Sequence, residues 1–202
     1  MSASRTVVFD LGKVLLDFDY GIAATKLAAA CSKSPDAVRS VIDQSPLLFA
    51  FETGRLTCEQ FHEEVCRNIG FRGGLDSFSA SFSDIFKPID AMVDLHGQLR
   101  KRGVLTYVFS NTNPIAVAHI RRQFPFFKDF DGYVLSFEHG AMKPEPAIYQ
   151  EVEKMTGQRG KEIVYIDDRP ENIDAGNARG WHGIHHVTPE QTVAAVKKLK
   201  LL

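Results

Sequence analysis

Apolar positions along this chain fall into two rhythms. Thr6-Val7-Val8-Phe9 is a short apolar run rich in β-branched residues that ends at Asp10, and it reads as a buried strand. Val104 to Phe109, Tyr133 to Leu135, Ile163 to Ile166 and Gly183 to Val187 are similar runs, the last interrupted by His185 and His186. Between the runs the spacing changes to three and four. Met92, Leu95 and Leu99 form one helical stripe, with Gly103 as its stop. Asn113-Pro114 is an N-cap with a first-turn proline and leads into Val117, Ile120 and Phe124. Pro144 and Pro146 open a helix carrying Ile148, Val152 and Met155, and Pro170 precedes a short one around Ile173. This alternation predicts an α/β fold, a doubly wound parallel sheet with helices on both faces.

Residues 18–88 break the alternation, and no strand is expected there. Pro35-Asp36 starts a helix with Val38, Val41 and Ile42. Thr57-x-x-Gln60 is a capping box ahead of Phe61 and Val65, while Phe78, Phe82 and Phe86 recur at four-residue spacing. The reading is a core of residues 1–17 and 89–202 interrupted by a small helical cap, 18–88. Val193 to Leu202 is basic and amphipathic, as expected of a closing helix on the sheet.

Composition removes several function classes. Lys and Arg number 24 against 25 Asp and Glu in 202 residues, a net charge of −1. That argues against nucleic acid or an anionic membrane surface as a partner. No run approaches the roughly 18 apolar residues a membrane span needs. Met1 to Arg5 lead directly into the first strand, which leaves no room for a signal peptide. Cys31, Cys58 and Cys66 lack metal-ligand spacing and fit a reducing cytoplasm, Cys58 and Cys66 as buried thiols on one helix. The seven histidines form no metal-binding motif.

Four segments carry candidate chemistry. Asp10 ends the first strand, where parallel sheets place ligands, although a turn-capping aspartate reads the same way. Ser110-Asn111-Thr112-Asn113 ends the second at a helix start, offering a hydroxyl and N–H groups to an anion, or a plain N-cap. Lys143 stands just ahead of a helix N-terminus, against the helix dipole unless an anion is near; otherwise it is a surface lysine. Asp167-Asp168 follow an apolar strand, and adjacent carboxylates repel unless a cation or proton is shared. Hard oxygen ligands of this kind suit Mg²⁺. In the insert, Glu52-x-Gly54-Arg55 either presents Arg55 to a substrate or forms a helix corner.

In order and placement, Asp10, Ser110, Lys143 and Asp167-Asp168 resemble the motifs of the haloacid dehalogenase-like (HAD) hydrolases, over essentially the whole chain. The insert resembles the small helical cap of one large subgroup. Phe-Asp-Leu-Gly-x-Val, Ser-Asn-Thr-Asn, Lys-Pro-Glu and Asp-Asp-x-x-x-Asn-Ile are similar to the bacterial α-D-glucose-1-phosphate phosphatase branch. The resemblance implies a phosphatase for a small phosphate monoester, with Asp10 as nucleophile and an aspartyl-phosphate intermediate. It implies Mg²⁺ held by Asp10, the Gly12 carbonyl and Asp168, with Asp167 and Asn172 as outer ligands or orienters. Ser110 and Asn111 would hold the phosphate, and Lys143 would neutralise charge.

One position departs from the family. Most of its phosphatases carry a second Asp two residues after the nucleophile to protonate the leaving oxygen; here it is Gly12. General acid help is worth about 10²–10⁴-fold. Three readings follow: a substrate with a good leaving group, such as an anomeric sugar phosphate; a proton from Asp17, Asp19 or a cap residue; or a phosphate-binding regulatory protein with little turnover. A haloacid dehalogenase also lacks the second Asp, but Asp167-Asp168 would repel its carboxylate substrate.

Overall fold

The computed structural model describes residues 5–202. Residues 1–4, part of the stretch that was read as leaving no room for a leader, lie outside the described residues. Five strands form one parallel sheet: β1 (Thr6–Phe9), β4 (Thr106–Ser110), β5 (Gly132–Leu135), β6 (Ile163–Asp167) and β7 (His182–His185), in the order β5-β4-β1-β6-β7. Every pairing in it is parallel. All five apolar runs became strands, displaced by a residue or two at their ends. Val187 falls beyond β7 and is exposed.

The β1 side chains alternate between two cores. Val7 and Phe9 face Met92, Leu95 and Leu99 of α6 (Asp90–Lys101), Val117 and Ile120 of α7 (Pro114–Gln123), and Val196 of α11 (Pro189–Lys198). Val8 faces Ile148, Tyr149 and Val152 of α9 (Pro146–Thr156), with Ile173 of α10 (Pro170–Ala178) and Trp181. That is the period-two pattern of a strand buried on both faces. Phe127 and Phe130 plug into the first core through a short 3₁₀ turn.

Between β1 and α6 the chain leaves the sheet. It runs through α1 (Tyr20–Ala28), α2 (Pro35–Ile42), α3 (Pro46–Glu52), α4 (Cys58–Ile69) and α5 (Leu75–Ser83), which share a separate apolar cluster. The Thr57–Gln60 capping box forms as expected, and Ser34 and Ser45 cap α2 and α3. Phe51, Phe61, Phe78 and Phe82 make its centre, with Phe51 and Phe61 stacked at 4.2 Å between centroids. Cys58 and Cys66 are only half-buried, because they flank the apolar stripe of α4 rather than lie in it.

The expectation of no strand in this stretch fails at its edges. β2 (Leu16–Phe18) and β3 (Phe86–Pro88) pair antiparallel, Leu16 with Pro88 and Phe18 with Phe86, as the chain departs and returns. Three residues are too few for a period-two signal, and Phe86 belongs to this ribbon rather than to the α5 stripe. The expected limits near 17/18 and 88/89 fall on the ribbon. Among the described residues no helix is long and apolar enough to cross a membrane.

Candidate active site

The strand order changes direction beside β1, with β4 and β5 on one side and β6 and β7 on the other. Parallel sheets open a crevice at such a point, beyond the strand carboxyl ends. Asp10 follows β1, Ser110 ends β4 and Asp167 ends β6, so three adjacent strands deliver three side chains to one rim. The Asp10 N–H donates to the Ile166 carbonyl at 2.8 Å, which continues the ladder into the site.

Lys143 reaches this rim from the loop before α9. Its ammonium is buried and donates to Asp10 Oδ1 (2.9 Å), Asp167 Oδ2 (2.7 Å) and the Phe109 carbonyl (3.0 Å). Two carboxylates therefore relieve its clash with the helix dipole, and the solvated-lysine reading is excluded. Asn111 fixes the lysine backbone by a reciprocal pair: its amide donates to the Lys143 carbonyl (3.0 Å) and its oxygen accepts the Lys143 N–H (2.8 Å). Ser110 is buried at the end of β4.

The acidic groups differ in how they are held. Asp167 is saturated: Oδ2 accepts from Lys143 and Tyr165 (2.5 Å), and Oδ1 from the Arg169 N–H (2.9 Å) and Asn172 (3.0 Å). Burial alone would raise its pKa, but the Lys143 ammonium and these donors hold it below the usual carboxylate range. Asp10 goes the other way. Burial pushes it well up, with Asp167 adding to the rise, and Lys143 offsets only part. Burial and the Asp167 charge also raise Asp168. The His185 ring donates to the Asp168 carbonyl (3.0 Å).

Oxygen atoms of Asp10, Asp167 and Asp168 lie within 4.8 Å of one another. This hard, all-oxygen donor set, two of whose members are raised by mutual charge and burial, fits Mg²⁺ in type. Asp167 already accepts from four protein donors.

A cavity of about 530 Å³ opens over the rim. Asp10, Gly12, Ser110, Asn111, Lys143 and Asp168 line it together with the apolar side chains of Phe18, Leu48, Phe49, Phe86 and Ala116. Arg55 does not line it. Arg55 is exposed past a helix corner at Gly54, whose φ is +69° and whose Cβ, if it had one, would lie 2.3 Å from the Phe137 carbonyl oxygen. The insert's charged group in the cavity is Glu52 instead. Asp17 and Asp19 are also elsewhere: Asp17 pairs with Lys13 on the surface, and Asp19 caps α1.

The haloacid dehalogenase-like hydrolase family matches residues 4–180. Among curated proteins, a sesquiterpene phosphatase of Aspergillus oryzae is 28% identical over 74% of this chain and 76% of its own length. A D-ribitol-5-phosphate phosphatase of Bacteroides thetaiotaomicron is 24% identical over 88% of this chain and 89% of its own. Among solved structures, a HAD family enzyme of the same bacterium, in complex with magnesium and inorganic phosphate, superposes with a TM-score of 0.79 at 23% identity. The match covers 90% of this chain and 93% of that one.

Proposed function

The chain belongs to the haloacid dehalogenase-like hydrolases, and from that membership we propose that it is a Mg²⁺-dependent phosphatase of a small phosphate monoester. The observation that carries the reading is the junction of Asp10, Lys143 and the acidic pair at one sheet rim. Both curated relatives named above are phosphatases, and the solved relative binds magnesium and phosphate.

Asp10 Oδ1 is occupied by the Leu11 N–H and Lys143, so Oδ2 is the oxygen that attacks phosphorus. Asp10, the Gly12 carbonyl and Asp168 would hold Mg²⁺, which would supply the charge that keeps Asp10 ionised against its burial and neutralises the phosphate dianion. Ser110 and the loop after it hold phosphoryl oxygens, with Asn111 acting through the Lys143 backbone. Lys143 spreads positive charge over Asp10 and the transferred group. Asp167, fixed by Asn172 and Tyr165, keeps Lys143 aimed. Water then cleaves the aspartyl-phosphate.

Residues 18–88 act as the cap over a core of 1–17 and 89–202, closing the cavity from above and excluding bulk water. Sugar phosphates lead as substrates, with α-D-glucose 1-phosphate first because Gly12 offers no proton and an anomeric oxygen needs less help. A second reading rests on the Phe18, Leu48, Phe49 and Phe86 wall, which favours a more apolar alcohol. The cytoplasmic reading rests on three unpaired cysteines. Hydrolysis of p-nitrophenyl phosphate that needs Mg²⁺ and disappears in Asp10→Asn is the expected result. Binding without turnover would instead make this a phosphate-binding regulatory protein, and turnover surviving Asp10→Asn would remove the nucleophile.

A further inference from the structure

Position 12 has no proton to give, and the space for one is filled. A Cβ on Gly12 would lie 2.7 Å from Cε1 of Phe18, whose ring lines the cavity. An acid must therefore enter from elsewhere. Asp17 is bound to Lys13 at 2.5 Å and held below its usual range by that hydrogen bond, and neither it nor Asp19 lines the cavity. The carboxyls that do are Asp10, Asp168, Glu145 and Glu52. Asp10 and Asp168 belong to the metal cluster, and Glu145 is an exposed loop residue. The Tyr20 phenol, also lining the cavity, is pushed well up by burial and keeps its proton.

We propose that Glu52, carried on the insert, gives the leaving oxygen the proton that Gly12 cannot. The proposal rests on the phosphatase reading above. The position of Glu52 is built rather than incidental. Its carbonyl accepts the Ser136 hydroxyl at 2.6 Å, and the same Ser136 oxygen accepts the Thr112 N–H at 2.9 Å. Glu52 is thus two hydrogen bonds from the loop that begins with Ser110. Phe51, its neighbour, is locked by stacking on Phe61 from α4.

Charged groups face Glu52 from its own region and from across the cavity. Asp43 stands in the turn after α2, bound to Arg39 at 2.9 Å, and Tyr20 comes from α1. Asp10, Lys13, Lys143, Glu145, Asp168 and Arg169 share the cavity. From α4 the contact is Phe61, and from α8 (Ser136–His139) it is Ser136. Burial, with Asp43 adding, raises the Glu52 carboxyl to about 7, where an acid is half-protonated at neutral pH.

In the first step an oxygen of Asp10 bonds to phosphorus and the ester P–O bond breaks. The Glu52 proton passes to the departing oxygen, which leaves as a neutral alcohol, and Glu52 becomes a carboxylate. In the second step water bonds to phosphorus, the Asp10–phosphorus bond breaks, and Glu52 takes back a proton from that water. Atoms and charge balance over the cycle without a further reagent.

The test compares Glu52→Gln with wild type on p-nitrophenyl, phenyl and benzyl phosphate, with Mg²⁺ present. p-Nitrophenolate leaves unaided, so its rate should stay within about threefold; the benzyl ester should lose about 100-fold in kcat. The alkaline fall in wild-type kcat/KM for the benzyl ester, near pH 7, should vanish in Glu52→Gln. Equal losses on all three esters, or none on benzyl phosphate, would overturn the assignment of Glu52. Failure of wild type to hydrolyse even p-nitrophenyl phosphate would instead sink the phosphatase reading beneath it, and Asp10→Asn is the control.

Discussion

The sheet rim and the interior of the insert solve opposite problems. At the rim, Asp10, Lys143 and Asp167 are buried charges, and Lys143 lies within 3 Å of both carboxylates, 2.9 Å from Asp10 and 2.7 Å from Asp167. In the insert, Phe51, Phe61, Phe78 and Phe82 bury apolar surface with no ionised group among them. The rim is a network in which one deletion exposes its neighbours, whereas the aromatic cluster is additive packing. The nucleophile therefore sits where the backbone is held on both sides by strands, and the aromatic interior of the insert can change composition without disturbing that charge network.

Removing the rim's cation is the sharpest way to break this contrast. Lys143→Met leaves Asp10 and Asp167 facing each other without an ammonium, at a cost of about 3–5 kcal/mol. Urea denaturation should report that loss, and phosphatase turnover should vanish with it. A stable variant would mean that the rim is not a coupled network.

Phe61→Ala attacks the other side. Deleting a fully buried ring that contacts Phe51, Phe78 and Phe82 should cost about 3–5 kcal/mol. Here the expected signature is regional: faster amide exchange in α1 to α5, with β1, β4 and β6 still protected. Uniform loss of protection would show that insert and sheet unfold as one unit.

The smallest effect concerns the insert's titratable group in the cavity. Glu52 titrates near 7 folded and near 4.3 unfolded, so its folded form binds the proton more tightly. Its stabilising share is complete below about pH 4.3 and is lost as pH rises through about 7. Wild-type melting temperature should fall by a few degrees from pH 5 to pH 9 relative to Glu52→Gln, with the two nearly equal in slope below pH 4. Parallel curves throughout would mean that Glu52 is ordinarily solvated.

The acidic and hydroxyl part of the rim was readable from the chain because Asp10, Ser110 and Asp167 stand at or just past the ends of apolar runs, whereas Lys143 arrives from a loop. Asp10, Ser110 and Asp167 end β1, β4 and β6 where such residues have a geometric consequence. The network's internal wiring was not readable, since the contacts of Tyr165 with Asp167 and of Asn111 with the Lys143 backbone depend on tertiary placement. In the insert, the capping box and the α2 stripe were visible, but α1, α3 and the β2–β3 ribbon were not. Short elements carry too few residues for a period to emerge. Arg55 was singled out beside Glu52, and the structure turns it outward at Gly54. A signal for Glu52 existed: an acidic residue ends α3, where the helix dipole disfavours it, so some other demand keeps it there.

The β2–β3 ribbon has a practical corollary. Its pairing uses main-chain groups, with Leu16 opposite Pro88 and Phe18 opposite Phe86, so it is indifferent to most of what lies beyond it. A foreign helical module spliced in at those two seams would keep Asp10, Lys143 and the acidic pair of the host, bring its own taste in alcohols, and have to supply its own acid in place of Glu52.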